Sequence, residues 1–167
     1  MTAGGGGALD SASVRRVRDA LAAAGSAARV VELADTARTA EDAAAALGVE
    51  VGAIVKSLVF LVGARPVMAL VAGDRQCATA ALPGVLGLEG KPARADADAV
   101  RGATGFAIGG VAPLGHPAPL PTAIDASLAR FATVYAAAGH PHCVFATTAD
   151  ELARLTGGSV SAEIAKA

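Results

Sequence analysis

A mixed α+β domain around a mainly antiparallel sheet or barrel is the fold this sequence predicts, on three observations. Two apolar, β-branched runs, residues 54–62 and 67–72, flank the turn signal Gly63-Ala64-Arg65-Pro66 and read as a hairpin. Helical segments with their own start and stop residues lie before, between and after the strands. The chain of 167 residues is long enough for one sizeable core, and no internal repeat divides it.

In chain order, Met1 to Ala8 holds four consecutive glycines and reads as a disordered tail, leaving 9–167 as a single domain. A first helix starts near Ser11 or Ser13 and runs to Ala24, where Gly25 stops it. Residues 29–33 form a short strand. Thr39-Ala40-Glu41-Asp42 is a capping box with Asp in the Glu position, opening a helix that Gly48 ends. After the hairpin, 78–86 is a weak helix interrupted by Pro83-Gly84, and 96–101 is another short helix with an acidic start. A strand then ends at Gly109-Gly110. Strand candidates follow at 122–126, 131–137 and 143–146, and Thr148-Ala149-Asp150-Glu151 caps a last helix that Gly157-Gly158 terminates.

The net charge of −1 provides no global field to attract a polyanion, so any nucleic-acid partner must be met at a local site. Arg15, Arg16 and Arg18 are the only tight basic cluster, which is either a solvated helix face or a phosphate contact. No apolar run approaches the ~20 residues that span a bilayer, and the N-terminus has no charged region followed by an apolar one. A cytoplasmic protein with no membrane partner is the expectation. Cys77 and Cys143 lack metal-ligand spacing and read as free, buried thiols.

Lys56 is the anomaly. It is one of three lysines and stands in the middle of the most apolar strand, where alternation puts Ile54, Lys56, Leu58 and Phe60 on one face and Val55, Ser57, Val59 and Leu61 on the other. Burying an unpaired ammonium costs several kcal/mol, roughly. Either its stem snorkels over apolar neighbours to solvent, or the amine meets a carboxylate or a ligand. Asp125, an acidic residue in a strand, is one candidate partner. The segment from Thr104 to His116 places Gly109-Gly110 before Val111 and Pro113, which is either an ordinary glycine turn or a backbone that something approaches closely. It matches neither the phosphate-loop pattern nor the dinucleotide fingerprint. His140-Pro141-His142 pairs two imidazoles without the further ligands a zinc site wants, so no metal is expected. Adjacent His142 and Cys143 face opposite ways on a strand and do not make a nucleophile–base pair.

Taken together, 39–48, 54–60, Ala72-Gly73-Asp74-Arg75, Gly109 to Gly115 and Leu152 to Gly157 resemble the YbaK-type aminoacyl-tRNA deacylases, in order and at compatible spacing across residues 27–158. These are free-standing proteins similar to the editing domain of bacterial prolyl-tRNA synthetases. The resemblance implies a strongly bent, mostly antiparallel sheet flanked by helices. It also implies hydrolysis of the ester joining a wrong amino acid to the terminal adenosine of a tRNA, without metal or cofactor. Lys56 matches the family's key lysine and Gly109 to Pro113 its glycine-to-proline loop, with Ser57, Gly109, Gly110, Val111 and Pro113 as substrate contacts. The implied reaction is substrate-assisted. The partner is the tRNA acceptor end with its amino acid, with tRNA-body contacts few or supplied by a synthetase; DNA is not expected. The chain departs from the family at 135–139, where alanines replace a serine, and near the first strand, which lacks aromatics. A non-catalytic module that holds a tRNA end or a synthetase is the alternative reading, and a cysteine-dependent hydrolase a third.

Overall fold

The computed structural model describes residues 7–34 and 37–167. Most of the expected tail, residues 1–6, lies outside the described residues, and Ala8 already belongs to a 3-10 turn, Ala8–Asp10. Helix α1 (Ala12–Ala23) is capped by Ser11, whose hydroxyl accepts the Val14 N–H at 3.2 Å. Strand β1 (Val30–Glu32) precedes α2 (Ala40–Leu47), which the predicted capping box opens: Thr39 Oγ1 accepts the Asp42 N–H and the Asp42 carboxylate accepts the Thr39 N–H. Gly48 closes α2 at φ 71°, a conformation that favours glycine.

The hairpin follows as β2 (Ile54–Val62) and β3 (Arg65–Ala72), paired from Val55↔Ala72 to Val62↔Arg65. Then come β4 (Gln76–Cys77), α3 (Leu82–Leu86), β5 (Pro92–Arg94), α4 (Ala97–Thr104), β6 (Thr122–Asp125), β7 (Val134–Ala137), β8 (Cys143–Thr147), α5 (Ala149–Thr156), β9 (Ser159–Ser161) and β10 (Ala165–Lys166). Eight strands form one sheet in the order β1-β8-β7-β2-β3-β6-β9, with β5 joining β2; β10 and β4 form a separate pair. Four pairings in the large sheet are antiparallel and three are parallel. The mainly antiparallel α+β expectation holds.

Two local readings change. Pro83 does not interrupt a helix but starts one: a proline has no N–H to lose in a first turn, so the chain makes a 3-10 turn at Thr79–Ala81 and then α3. No strand ends at Gly109-Gly110, because the Gly110 N–H turns back to the Ala107 carbonyl at 3.0 Å and closes a turn.

β3 is the centre of the molecule and is buried on both faces. Met68, Leu70 and Ala72 join Val55, Ile124, Phe145 and the Val14-Val17-Leu21 stripe of α1 in one core. Val67, Ala69 and Val71 join Phe60, Val62, Ala123, Leu82 and Ile164 in the other. Each fully buried Leu, Ile or Phe here contributes about 1.5–3 kcal/mol, which anchors the two strands that carry the site.

Candidate functional site

β2 is bordered by β3 along nearly its whole length, but its other edge is not filled. β7 pairs with it at Ile54 and Val55, and β5 at Phe60 to Val62. Between them Lys56, Ser57, Leu58 and Val59 have no strand partner on that side, and all four are only partly buried. A cavity of about 350 Å³ lies along this gap, with walls from β2, β5, β7, the start of α2 and the turn at Gly109. The Gly73 N–H donates to the Ile54 carbonyl at 2.7 Å, so even-numbered residues of β2 point their main-chain groups at β3. Those of Ser57 and Val59 therefore face the gap.

Lys56, Ser57, Gly109 and Val111 all line this cavity. Gly110 and Pro113, expected to touch substrate, do not: both are buried behind it. A Cβ on Gly110 would lie 2.9 Å from the His140 nitrogen, so glycine is required there for packing, and its N–H is already held by Ala107. Gly109 sits at φ 99°, a conformation that favours glycine, and lines the cavity, where a Cβ on it would lie 3.6 Å from Pro141. The loop behind these residues is pinned by α1: Arg16 donates to the Gly105 carbonyl at 2.6 Å and lies 4.4 Å over the Phe106 ring. His116 Nε2 lies 2.8 Å from the Ala112 carbonyl oxygen, and burial holds that imidazole below its ordinary pKa. Arg16 is thus neither a solvated face nor a phosphate contact.

The Lys56 side chain leaves β2 on the face of Leu58 and Phe60, and its amine donates to the Arg75 carbonyl at 2.5 Å. That carbonyl belongs to a fastened turn. A Cβ on Gly73 would stand 2.3 Å from the Val51 carbonyl oxygen, so only glycine lets the turn close. Arg130 grips both Asp74 carboxylate oxygens at 2.8 and 2.9 Å, and this hydrogen-bonded guanidinium holds Asp74 below the usual carboxylate range. Asp125, the suspected partner of Lys56, makes no ion pair with it. Its carboxylate instead accepts the N–H groups of Ala72 and Ser127 at 3.0 and 2.8 Å, completing the same corner from below. A carboxylate at a strand end satisfies exposed main-chain donors more readily than it reaches a side chain across the turn.

Ser57 is the opposite case. Its hydroxyl is buried and has no hydrogen-bond partner, in a cavity lining that also includes Val55, Val59, Val100, Val111 and Val144. Arg38, Arg94, Ile108 and Tyr135 also line the cavity, and none was singled out from the sequence. Among the described residues lining it there is no carboxylate, imidazole or thiol. His140 and His142 stand ring to ring at 5.2 Å without a third donor group among the described residues. Burial pushes both the Cys77 and Cys143 thiols up to about 11, which leaves little thiolate at neutral pH and argues against a cysteine nucleophile.

The sequence and the fold that carry this cleft both match known proteins. The family model for the aminoacyl-tRNA editing domain matches residues 34–155, and the chain belongs to that family. Among solved structures it is similar to a candidate trans-editing enzyme for prolyl tRNA synthetase, at 42% identity and TM-score 0.87, over 94% of this chain and 99% of that one. A structure from work on epitope backbone grafting onto scaffold proteins matches at 40% identity and TM-score 0.87, with the same coverage. A hypothetical protein follows at 27% identity and TM-score 0.81, over 90% of this chain and 99% of the other. The resemblance read from the sequence segments is borne out. Among the described residues no helix is long and apolar enough to cross a membrane.

Proposed function

We propose that the protein is a trans-editing deacylase that hydrolyses the ester of mischarged aminoacyl-tRNA, substrate-assisted and without a metal. The observation that carries this is the composition of the cavity wall: cations and hydroxyls are there, but no described group able to act as a general base. In this reading the attacking water, or a reactive side chain of the amino acid, is activated by the substrate, and the vicinal ribose hydroxyl is the group at hand.

What the chain contributes is orientation and charge. The cavity volume of about 350 Å³ suits one aminoacyl-adenosine end, with the valine wall taking the amino-acid side chain. The N–H groups of Ser57 and Val59 on the open edge of β2 supply donors for the carbonyl oxygen as it gains charge, and the orphaned Ser57 hydroxyl gains a partner. Lys56 uses one ammonium hydrogen on Arg75 and keeps two for a phosphate or ester oxygen, stabilising the negative charge of the tetrahedral intermediate. Gly109 and Val111 limit the size of what enters.

Lys56→Ala is the direct test, measured on a panel of mischarged tRNAs. Losing one preorganised electrostatic contact should cost about 100-fold or more in hydrolysis. A variant that clears every substrate as fast as wild type removes Lys56 from the reaction. Saturable tRNA binding with no release of amino acid by the wild type replaces the enzyme with a non-catalytic tRNA-end module.

A further inference from the structure

The cavity extends past the reacting groups to two arginines that the reaction does not use. Arg38 directly precedes the cap of α2 and Arg94 ends β5; both line the cavity and both are exposed. Among the described residues the salt bridges join Arg130 to Asp74 and Arg154 to Glu151, so neither cavity guanidinium is in one; the nearby Asp42 carboxylate accepts the Arg38 main-chain N–H at 3.2 Å instead. No described acidic residue lines the cavity either. In a chain of net charge −1 this lines one cavity with two guanidinium groups that no salt bridge among the described residues neutralises.

Volume decides what those guanidinium groups meet. About 350 Å³ accommodates one aminoacylated nucleoside and little more, so the phosphates leading to it must lie at the entrance. Two exposed arginines line the cavity, and a guanidinium fork matches phosphate oxygens in pairs. Ile108, 62% exposed and also lining the cavity, adds an apolar surface for the face of a base.

We propose that Arg38 and Arg94 form a phosphodiester clamp that holds the single-stranded 3′ end of the tRNA while its last nucleoside enters the cavity. The identity of the RNA rests on the deacylase reading; the clamp itself does not. It also accounts for how a nearly neutral protein holds a polyanion, through two local contacts and not a basic face.

The test measures binding of a fluorescein-labelled cytidine-cytidine-adenosine RNA to the full chain across a salt series, for wild type, Arg38→Gln, Arg94→Gln, the double variant and Arg65→Gln at the remote hairpin turn. Each cavity variant should bind about fivefold more weakly, the scale of a partly exposed charge-assisted contact. The slope of log affinity against log salt should flatten by about 0.7 per arginine removed. Arg65→Gln should match wild type, and Arg38→Lys should recover part of the salt slope. On charged substrates the loss should be larger for aminoacyl-tRNA than for aminoacyl-adenosine, which has no phosphodiester. Cavity variants that bind with wild-type affinity and salt slope, or a wild type with no saturable RNA binding, overturn the clamp even if hydrolysis is intact. Arginine-dependent RNA binding without any hydrolysis supports the clamp and removes the deacylase reading.

Discussion

Two neighbouring stretches, one within β2 and one where the chain leaves β3, treat their polar groups in opposite ways. In the corner of Ala72 to Arg75 polar groups are paired with one another: Asp125 takes the Ala72 N–H, Arg130 takes Asp74, and Lys56 caps the Arg75 carbonyl. Along Lys56 to Val59 the sheet leaves main-chain groups facing a cavity and a buried hydroxyl without a partner. A buried polar atom left alone costs about 1–3 kcal/mol, a cost that a structural wall of valine would avoid. The saturated corner is the frame and the unsaturated gap is the proposed site.

The sharpest way to break this contrast is to damage the frame. Asp125→Ala leaves one buried and one partly buried donor unpaired and should lower stability by about 1–3 kcal/mol in urea unfolding, with Asp125→Asn costing less because it keeps one acceptor. If Asp125→Ala unfolds like wild type, the corner is not a frame. In the gap the same kind of truncation should do the reverse. Ser57→Ala removes an orphaned hydroxyl, so stability should hold or rise by up to about 1 kcal/mol, while kcat/KM for deacylation falls about tenfold. A Ser57→Ala variant that is both less stable and fully active makes the hydroxyl structural.

The frame was more legible in the sequence than the site. Capping at Ser11, Thr39 and Thr148 is local chemistry within four residues, and the hairpin is a local turn between two β-branched runs, so both could be read directly. The short strands β4, β5, β9 and β10 exist only because distant partners pair with them; two or three residues carry no periodicity of their own. Lys56 stood out because a cation in an apolar strand demands a reason. Arg38 and Arg94 did not, since an exposed arginine has the same sequence signature whether it faces a cavity or solvent. Gly110 shows the converse: its glycine is real evidence of close approach, but the approaching atoms are the main chain at Gly139 and His140, not a substrate.

The smallest effect sharpens the comparison from the side of charge. Asp74 and Arg130 are each about one third exposed, at 34% and 37%, so their paired contacts should contribute no more than about 1 kcal/mol. Because the Asp74 pKa lies below its ordinary value of 3.8 in the folded protein, the unfolded chain takes up that proton first as pH falls. The contribution is therefore whole above the ordinary value and fades as pH drops through the lower, folded one. Asp74→Asn should differ from wild type by a constant small amount at neutral pH and converge on it in acid, as read by unfolding at a series of pH values. A difference that instead grows in acid means that the guanidinium does not hold Asp74 in its charged form, and the turn that presents the Arg75 carbonyl to Lys56 is then secured by Gly73 and Asp125 alone.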